Sequence, residues 1–248
     1  GKGRAVESRQ AFLDERYAIL EKLGSGSTST VFRALRRADG LPVALKTIRS
    51  ADPEMLQNAR QEFELLRQLQ HPNIVRALDF HAFGACDVMA LELFRGQPLG
   101  AAVAASQRSP AAGGAGGSSG LPEAACRHLG AALFGALAYL HARGILHRDV
   151  SPRNVLVSSD LQDLRLVDFN TAVRQDRGLE AGDSEGEDEP LTPAGTPLCS
   201  APEVLLGEPC SRASDVWSAG VCAFFMLAGR LPQGRGGGRA ELSRRALA

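Results

Sequence analysis

Three polar residues in one stretch of this 248-residue chain have the types and the spacing needed for phosphoryl transfer. Asp149 stands five residues before Asn154, and Asp168 follows Asn154 by fourteen residues, beyond a segment that reads as a hairpin. A carboxylate can accept the proton of an attacking hydroxyl, and carboxylate and amide oxygens are ligands for magnesium. The pattern therefore predicts a proton acceptor, Asp149, and two magnesium ligands, Asn154 and Asp168, which together would serve phosphoryl transfer from ATP.

A glycine-containing turn and a lysine, both nearer the N-terminus, would suit the phosphates of a nucleotide. The run Gly24-Ser25-Gly26 precedes Val31, and Lys46 lies on a later predicted strand. Glycines let backbone amides approach phosphates without a side-chain collision. Taken alone, this glycine pair fits an ordinary hairpin turn equally well, and it gains weight only from the lysine that follows.

Together these segments resemble the motifs of the eukaryotic protein kinases. His147–Asn154 is similar to H-R-D-x-x-x-x-N, Asp168–Asn170 to D-F-G, and Gly24–Val31 to G-x-G-x-x-G-x-V. Further on, Gly195–Glu203 resembles G-T-P-x-x-x-A-P-E, and Asp215–Gly220 resembles D-x-W-S-x-G. The resemblance implies an α+β, two-lobed kinase-like fold, with a small five-stranded antiparallel β lobe carrying one helix and a larger, mainly helical lobe.

The resemblance also implies a role for each matching residue. Lys46 would hold the α- and β-phosphates of ATP, and Asp149 would orient and deprotonate the substrate hydroxyl. Asp215 would tether the backbone of the catalytic loop, whereas His147 would only pack. The other residues implied to contact ATP or its Mg²⁺ ions are Gly24, Ser25, Gly26, Val31, Ala44, Glu62, Glu92, Phe94, Leu156, Asn154 and Asp168.

Two glutamates compete for the position beside Lys46. Glu62 lies nine residues before His71, which is the spacing that the resemblance implies, and Glu64 is the competitor. Residues two apart on a helix point about 200° away from each other, so only one of them can face the lysine. We predict that Glu62 is the partner and that Glu64 is a solvated surface charge.

Three positions depart from the family pattern. Ser29 stands where the third glycine of the loop is usual. Ser151 occupies the place where Ser/Thr kinases usually carry a lysine that contacts the γ-phosphate, and Arg153 is predicted to be catalytic because it would supply the missing positive charge. Asn170 replaces the glycine of D-F-G. Since asparagine tolerates the left-handed backbone region, we expect the loop to turn at Asn170 and function to be retained.

The activation segment is predicted to span residues 168–203. Thr196 would bond to the catalytic loop and shape the substrate groove, which favours Ser/Thr over Tyr specificity. Arg148 could pair with a phosphorylated residue of this segment, for which Thr192 is the first candidate and Ser184 the second. Either residue could equally be an unmodified part of the loop.

Periodicity and turn residues predict the elements that position these groups. Strands are predicted at 17–23, 30–34, 41–48, 75–80 and 88–93, and helices at 53–70, 122–143 and 214–228. Asp52 and Pro53 mark the start of the first helix, Gly144 the end of the second, and Gly229 with Pro232 the end of the third. The predicted organisation is a leader (1–16), an N-terminal ATP-binding lobe (17–94), a C-terminal catalytic lobe (95–231) with a flexible insertion (107–120), and a tail (232–248) where the resemblance ends.

Charge and cysteine content exclude several classes of function. Lysine plus arginine and aspartate plus glutamate both number 28, so no global field attracts nucleic acid or an anionic membrane. Five cysteines without a C-x-x-C pair argue against a disulfide framework or a zinc site. Without an export or membrane signal, we expect an intracellular, cytoplasmic protein.

The leading hypothesis is an ATP- and Mg²⁺-dependent serine/threonine kinase whose partner is a protein hydroxyl. The alternative is a non-catalytic, kinase-like module that binds nucleotide or a partner. It is motivated by Ser151, by Asn170 and by the lack of further recognisable helices after Pro232, which a truncated chain, an incorrect end or a partner that covers the exposed face would each explain. A third idea, a small-molecule kinase, fits Thr196 and the A-P-E run poorly.

Overall fold

The structure is a computed structural model that describes residues 10–26, 28–84, 86–108, 120–175, 197–232 and 234. These residues form two compact units. The first unit contains the described residues up to Gln70 together with Val75–Phe94. The second contains His71–Ile74 and the described residues from Arg95 onward.

The first unit is built on a five-stranded antiparallel sheet with the order β1-β2-β3-β5-β4. The strands are β1 (Tyr17–Ser25), β2 (Ser29–Arg36), β3 (Pro42–Arg49), β4 (Ala77–Ala82) and β5 (Cys86–Glu92). Lys46 lies on the central strand β3, opposite Val31 on one side and Met89 on the other. Five strands, and the antiparallel pairing, are as the sequence predicts.

Helix α2 (Pro53–Arg67) begins where the sequence predicts. The carboxylate of Asp52 accepts the backbone N–H of Glu54 at 2.9 Å, and Pro53, which has no N–H to satisfy, occupies the first turn. Burial of Leu56 and Phe63 fixes which face of the helix turns inward. That same face carries Glu62, so helix packing brings this carboxylate into the interior.

Residues 10–16 form a further short helix, α1, which the sequence analysis left within the leader. Leu13 is buried in the same hydrophobic cluster as Tyr17, Val43 and Val88. Phe12 packs against this cluster and contacts the ring of Phe83 edge-on. Two apolar residues are too few to reveal a helix by periodicity, and their burial depends on the sheet beneath them.

The second unit is mainly helical. Its helices are α3 (Leu99–Gln107), α4 (Glu123–His141), α5 (Pro202–Leu206) and α6 (Arg212–Ala228), with a 3₁₀ turn at Pro197–Cys199. Its strands are β6 (Gly96–Pro98), β7 (Ile145–Leu146), β8 (Val155–Ser158), β9 (Leu164–Leu166) and β10 (Val173–Arg174). They form a three-stranded sheet, β6-β8-β9, and a β7-β10 pair.

The long helices of this unit end and begin at recognisable signals. Gly144, just beyond α4, has φ 70°, and Gly229, just beyond α6, has φ 66°, both in the left-handed region that favours glycine. At the start of α6 the side chains of Ser211 and Ser214 each accept the other residue's backbone N–H. Helix α6 therefore begins at Arg212, two residues earlier than predicted.

The predicted fold class, α+β with a small sheet unit and a larger helical unit, is confirmed. Most of the predicted insertion, residues 109–119, lies outside the described residues. In the part of the chain that the structure describes, no helix has the length and apolar character needed to cross a bilayer.

Candidate active site

Lys46 and Glu62 form a buried ion pair inside the first unit. The Nζ atom of Lys46 donates to both carboxylate oxygens of Glu62, at 2.8 and 2.9 Å. Both residues are less than a tenth exposed. Glu64, by contrast, is exposed and lies 3.6 Å from Arg67 on the surface of α2. The structure thus places Glu62 rather than Glu64 on the lysine.

The second unit brings Asp149 and Asn154 together within one loop between β7 and β8. The amide Nδ2 of Asn154 donates to the backbone oxygen of Asp149 at 2.9 Å and to its Oδ2 at 2.7 Å. The loop is closed by the backbone N–H groups of Asn154 and Val155, which both donate to the carbonyl of Ser151. Because both side chains are buried, the carboxylate is held in one orientation.

Asp168 follows directly on a backbone contact with this loop. The backbone N–H of Val167 donates to the carbonyl oxygen of Asn154 at 2.9 Å. Val167 directly precedes Asp168, so Asp168 is next to a residue that is bonded to Asn154. A carboxylate and an amide oxygen are a suitable donor set for Mg²⁺, which commonly takes one or two protein ligands and completes its shell with phosphates and water. Asn154 and Asp168 therefore fit the predicted role of magnesium ligands.

The left-handed residue of the D-F-N segment is Asp168, with φ 64°, and not Asn170, which does not have a positive φ. The loop does turn at Asn170, as expected, but Asn170 does not adopt the left-handed conformation to do so. Phe169 is buried and its ring meets that of His147 edge-on, with centroids 4.6 Å apart. After it, the N–H of Ala172 donates to the carbonyl of Phe169 and closes an ordinary turn. Asn170 therefore replaces glycine without backbone strain.

Asp215 on α6 holds the start of the catalytic loop. Its two carboxylate oxygens accept the backbone N–H groups of His147 and Arg148, each at 2.9 Å. The Nε2 atom of His141 lies 2.9 Å from Oδ2 of the same carboxylate. Burial acts to raise the pKa of Asp215, but the bonds from His141 and from the two N–H groups outweigh it and hold that pKa below the ordinary 3.8.

His147 itself packs. It is fully buried, and burial lowers the pKa of its imidazole below the usual value, so the ring is held neutral. The structure thus places His147 as a packing residue; that it carries no chemistry stays a prediction. The hydroxyl of Thr171 donates to the His147 carbonyl at 2.9 Å and ties the two loops together.

Arg153 and Ser151 differ sharply in their surroundings. The Nη2 atom of Arg153 lies 3.5 Å from Oδ2 of Asp149, and the arginine side chain is 70% exposed. Ser151 is fully buried, and its hydroxyl has no hydrogen-bond partner among the described residues. The positive charge predicted to compensate for Ser151 is therefore present beside Asp149. Sequence reasoning placed Arg153 near the reaction but did not predict the contact with this carboxylate.

The residues predicted to contact the nucleotide lie in both units. Gly24 and Ser25 end β1, and Gly26 follows it. An added Cβ on Gly24 would meet no atom within 4 Å, and one on Gly26 would meet only the Ser29 hydroxyl, at 3.5 Å. Packing within the protein therefore does not demand these glycines. In the first unit the remaining predicted contacts are Val31, Ala44, Glu92 and Phe94, and in the second unit Leu156, all of them half-buried.

The end of the activation segment is anchored to α6. The hydroxyl of Ser214 donates to Oε1 of Glu203 at 2.6 Å, and the hydroxyl of Ser218 donates to the carbonyl of Cys199 at 2.8 Å. The sequence analysis did not predict the contact between Ser214 and Glu203. Three predicted residues, Thr196, Thr192 and Ser184, lie outside the described residues.

Comparison with known proteins identifies the family. The model of the protein kinase domain matches residues 17–246. The chain is 35% identical over 222 residues to CBL-interacting protein kinase 4 of Oryza sativa subsp. japonica, covering 88% of this chain and 45% of that protein. It is 33% identical over 221 residues to calcium/calmodulin-dependent protein kinase type 1B of Rattus norvegicus, covering 87% and 57%.

A third relative is serine/threonine-protein kinase ATG1c of Arabidopsis thaliana, 32% identical over 221 residues, which cover 87% of this chain and 27% of that protein. The chain thus spans about half the length, or less, of these curated relatives. The family match runs past Leu231, so the expectation that the resemblance ends there is wrong. On these matches, the chain belongs to the protein kinase domain family.

Proposed function

We propose that this chain transfers the γ-phosphoryl group of Mg-ATP to a serine or threonine hydroxyl of a protein. The observation that carries the proposal is the bonded unit of Asp149 and Asn154, in which one amide fixes the carboxylate and the next loop brings Asp168. Positioning and electrostatic stabilisation do most of the work in phosphoryl transfer. The held carboxylate of Asp149, with Asn154 and Asp168 as oxygen ligands, would supply both.

Asp149 is the proposed base. Its carboxylate would accept a hydrogen bond from the substrate hydroxyl and take the proton as the new P–O bond forms, while the bond between the γ-phosphorus and the β,γ-bridging oxygen breaks and ADP leaves. Because the Nδ2 of Asn154 is used to hold Asp149, its amide oxygen is the atom left to ligate a cation together with the Asp168 carboxylate. Magnesium, when bound, would neutralise negative charge on the transferring phosphoryl group.

Lys46 and Arg153 are the proposed cationic groups. Lys46 would contact the α- and β-phosphates, and Glu62 would hold its ammonium group in place. Arg153, within 3.5 Å of Asp149, would supply the charge that Ser151 does not. The glycine turn and the apolar residues Val31, Ala44 and Leu156 would take the phosphates and the adenine.

Serine/threonine specificity is supported by the Gly195–Glu203 motif and by a relative named as a serine/threonine-protein kinase. The competing proposal is a non-catalytic nucleotide- or partner-binding module. One observation favours it: position 151 offers a buried, uncharged side chain where these kinases usually have a lysine.

One assay separates the two proposals. The full chain, Lys46→Met and Lys22→Met are each incubated with γ-labelled ATP and a mixture of acidic and basic proteins. Lys22 is the control because it is an exposed lysine of the same sheet. We expect label in protein with the wild type and Lys22→Met, and at least a 100-fold loss with Lys46→Met. No label from the wild type, with ATP still raising its Tm, would contradict catalysis and favour the binding module.

A further inference from the structure

The exposed guanidinium beside the proposed base offers a means of choosing substrates. We propose that Arg153 selects protein segments that carry aspartate or glutamate next to the phosphorylated hydroxyl, an inference that rests on the proposed function. Arg153 lies within one loop of the second unit, four residues after Asp149. Any hydroxyl that approaches Asp149 therefore brings its neighbouring side chains towards this cation.

The contact between Arg153 and Asp149 leaves most of the guanidinium available. At 3.5 Å it is an ion pair and too long for a good hydrogen bond. The same Oδ2 already accepts the shorter 2.7 Å bond from Asn154. In the part of the chain that the structure describes, Asp149 is the one carboxylate within 4 Å of Arg153. The arginine can thus receive a second carboxylate through its planar fork of N–H donors.

The adjacent positions of the loop provide no competing charge. Ser151 is buried and neutral, and Pro152 has no ionisable group. Among residues 150–154, Arg153 therefore carries the charge that faces solvent. An acidic substrate side chain would be attracted there, and a basic one would be repelled.

The charge of Arg153 also acts on the 3₁₀ turn Pro197–Cys199. Burial raises the pKa of the Cys199 thiol to about 12; the charge of Asp149 acts in the same direction and that of Arg153 opposes it. Cys199 belongs to the 3₁₀ turn Pro197–Cys199, within the segment that the resemblance implies for the substrate groove. Arg153 is close enough to that turn for its charge to be felt there.

The expected selectivity is modest because an exposed ion pair is weak and is screened by salt. We expect kcat/KM to be about 5- to 10-fold higher for an acidic than for a basic substrate at low ionic strength, mainly through KM. The ratio should shrink as salt is added.

The test uses three synthetic peptides that differ only in the residues flanking a single serine, which are aspartate, alanine or lysine. Wild type, Arg153→Lys, Arg153→Glu and Arg127→Glu are compared. Arg127 is the matched control because it is an exposed arginine of the same unit, 77% exposed on α4. The ratio of kcat/KM for acidic and basic peptides is taken within each variant, so a uniform fall in turnover cancels.

Wild type, Arg153→Lys and Arg127→Glu should prefer the aspartate peptide, and Arg153→Glu should lose or reverse the preference. An unchanged ratio in Arg153→Glu, or a wild type that prefers the lysine peptide, would overturn the inference while leaving the kinase proposal standing. If the wild type phosphorylates none of the three peptides and no protein, the proposed function fails and the inference fails with it. Equal Tm values would show that Arg153→Glu is folded.

Discussion

The carboxylate of Asp215 accepts the backbone N–H of His147 at 2.9 Å. A side chain of helix α6 thereby fixes His147, the first residue of the catalytic loop. The proposed base, Asp149, lies two positions further along this loop. The next N–H, that of Arg148, is bonded to the other oxygen of the same carboxylate, and Arg148 has φ 68°. The buried charge thus stabilises a left-handed backbone conformation that a non-glycine residue rarely adopts.

Asp215→Asn should therefore weaken both the fold and the reaction. The amide can accept only one of the two N–H bonds and turns a donor towards the other. We expect the free energy of unfolding to fall by about 3 kcal/mol, because a buried, charged hydrogen-bond network is broken. Urea unfolding measures this loss. Asp163→Asn, at an exposed carboxylate of the same unit, should change stability by less than about 0.5 kcal/mol.

The cost of Asp215→Asn should depend on pH. Since folding lowers the pKa of Asp215, its contribution is fully present above the ordinary value of 3.8 and is lost as pH falls through the lower pKa of the folded state. The stability difference between wild type and Asp215→Asn should be constant near neutral pH and shrink below about pH 4. A difference that grows on acidification would show that the carboxylate is not stabilised in its ionised form.

The Lys46–Glu62 pair should separate stability from nucleotide binding. Lys46→Met leaves the Glu62 carboxylate buried without its cation, which should cost about 3–5 kcal/mol. The double variant Lys46→Met/Glu62→Leu should recover most of that loss, because apolar groups can replace a buried pair. Neither variant should bind ATP, as measured by calorimetry.

An exposed ion pair provides the comparison for the buried Lys46–Glu62 pair. Arg127 and Glu123 lie 3.1 Å apart on the surface of α4. Their coupling energy should be about 0.5 kcal/mol or less.

If the double variant at Lys46 and Glu62 were still to bind ATP, the lysine would have no role in holding phosphates.

Asn170→Gly should leave phosphoryl transfer within about 2-fold of wild type. The left-handed turn is made by Asp168, so glycine at position 170 has no strain to relieve. It should lower stability by about 0.5–1 kcal/mol, because glycine has more freedom in the unfolded chain. A large gain in activity, measured as kcat/KM on a protein substrate, would indicate that Asn170 restrains the loop in a way that its backbone does not reveal.

Local signals were sufficient for much of the fold. Asp52 and Pro53 predicted the start of α2, and Gly144 and Gly229 predicted the ends of α4 and α6, because caps depend on the few residues around them. The choice of Glu62 over Glu64 followed from motif spacing and from the geometry of one helix. The cap predictions rest on interactions within a few residues of one another.

Features that depend on distant contacts were missed. The φ of Asp168 accompanies the packing of Phe169 on His147, which lies 22 residues earlier in the chain. The bond between Ser214 and Glu203 joins α6 to α5, and no pattern in the sequence marks it. Helix α1 depends on the sheet that buries Leu13. In each case tertiary structure decides a conformation that local preference leaves open.

The central claim is that Asp149 accepts the proton of the substrate hydroxyl. Asp149→Asn keeps the shape of the side chain and an oxygen that can accept the Nδ2 bond of Asn154, but removes the base. The direct measurement is the single-turnover rate of phosphate transfer from γ-labelled ATP to a protein substrate, with Asp163→Asn as the control. The account predicts that the rate of Asp149→Asn falls at least about 100-fold while its Tm is unchanged. The control, Asp163→Asn, should keep the wild-type rate. A rate for Asp149→Asn equal to that of the wild type would contradict it.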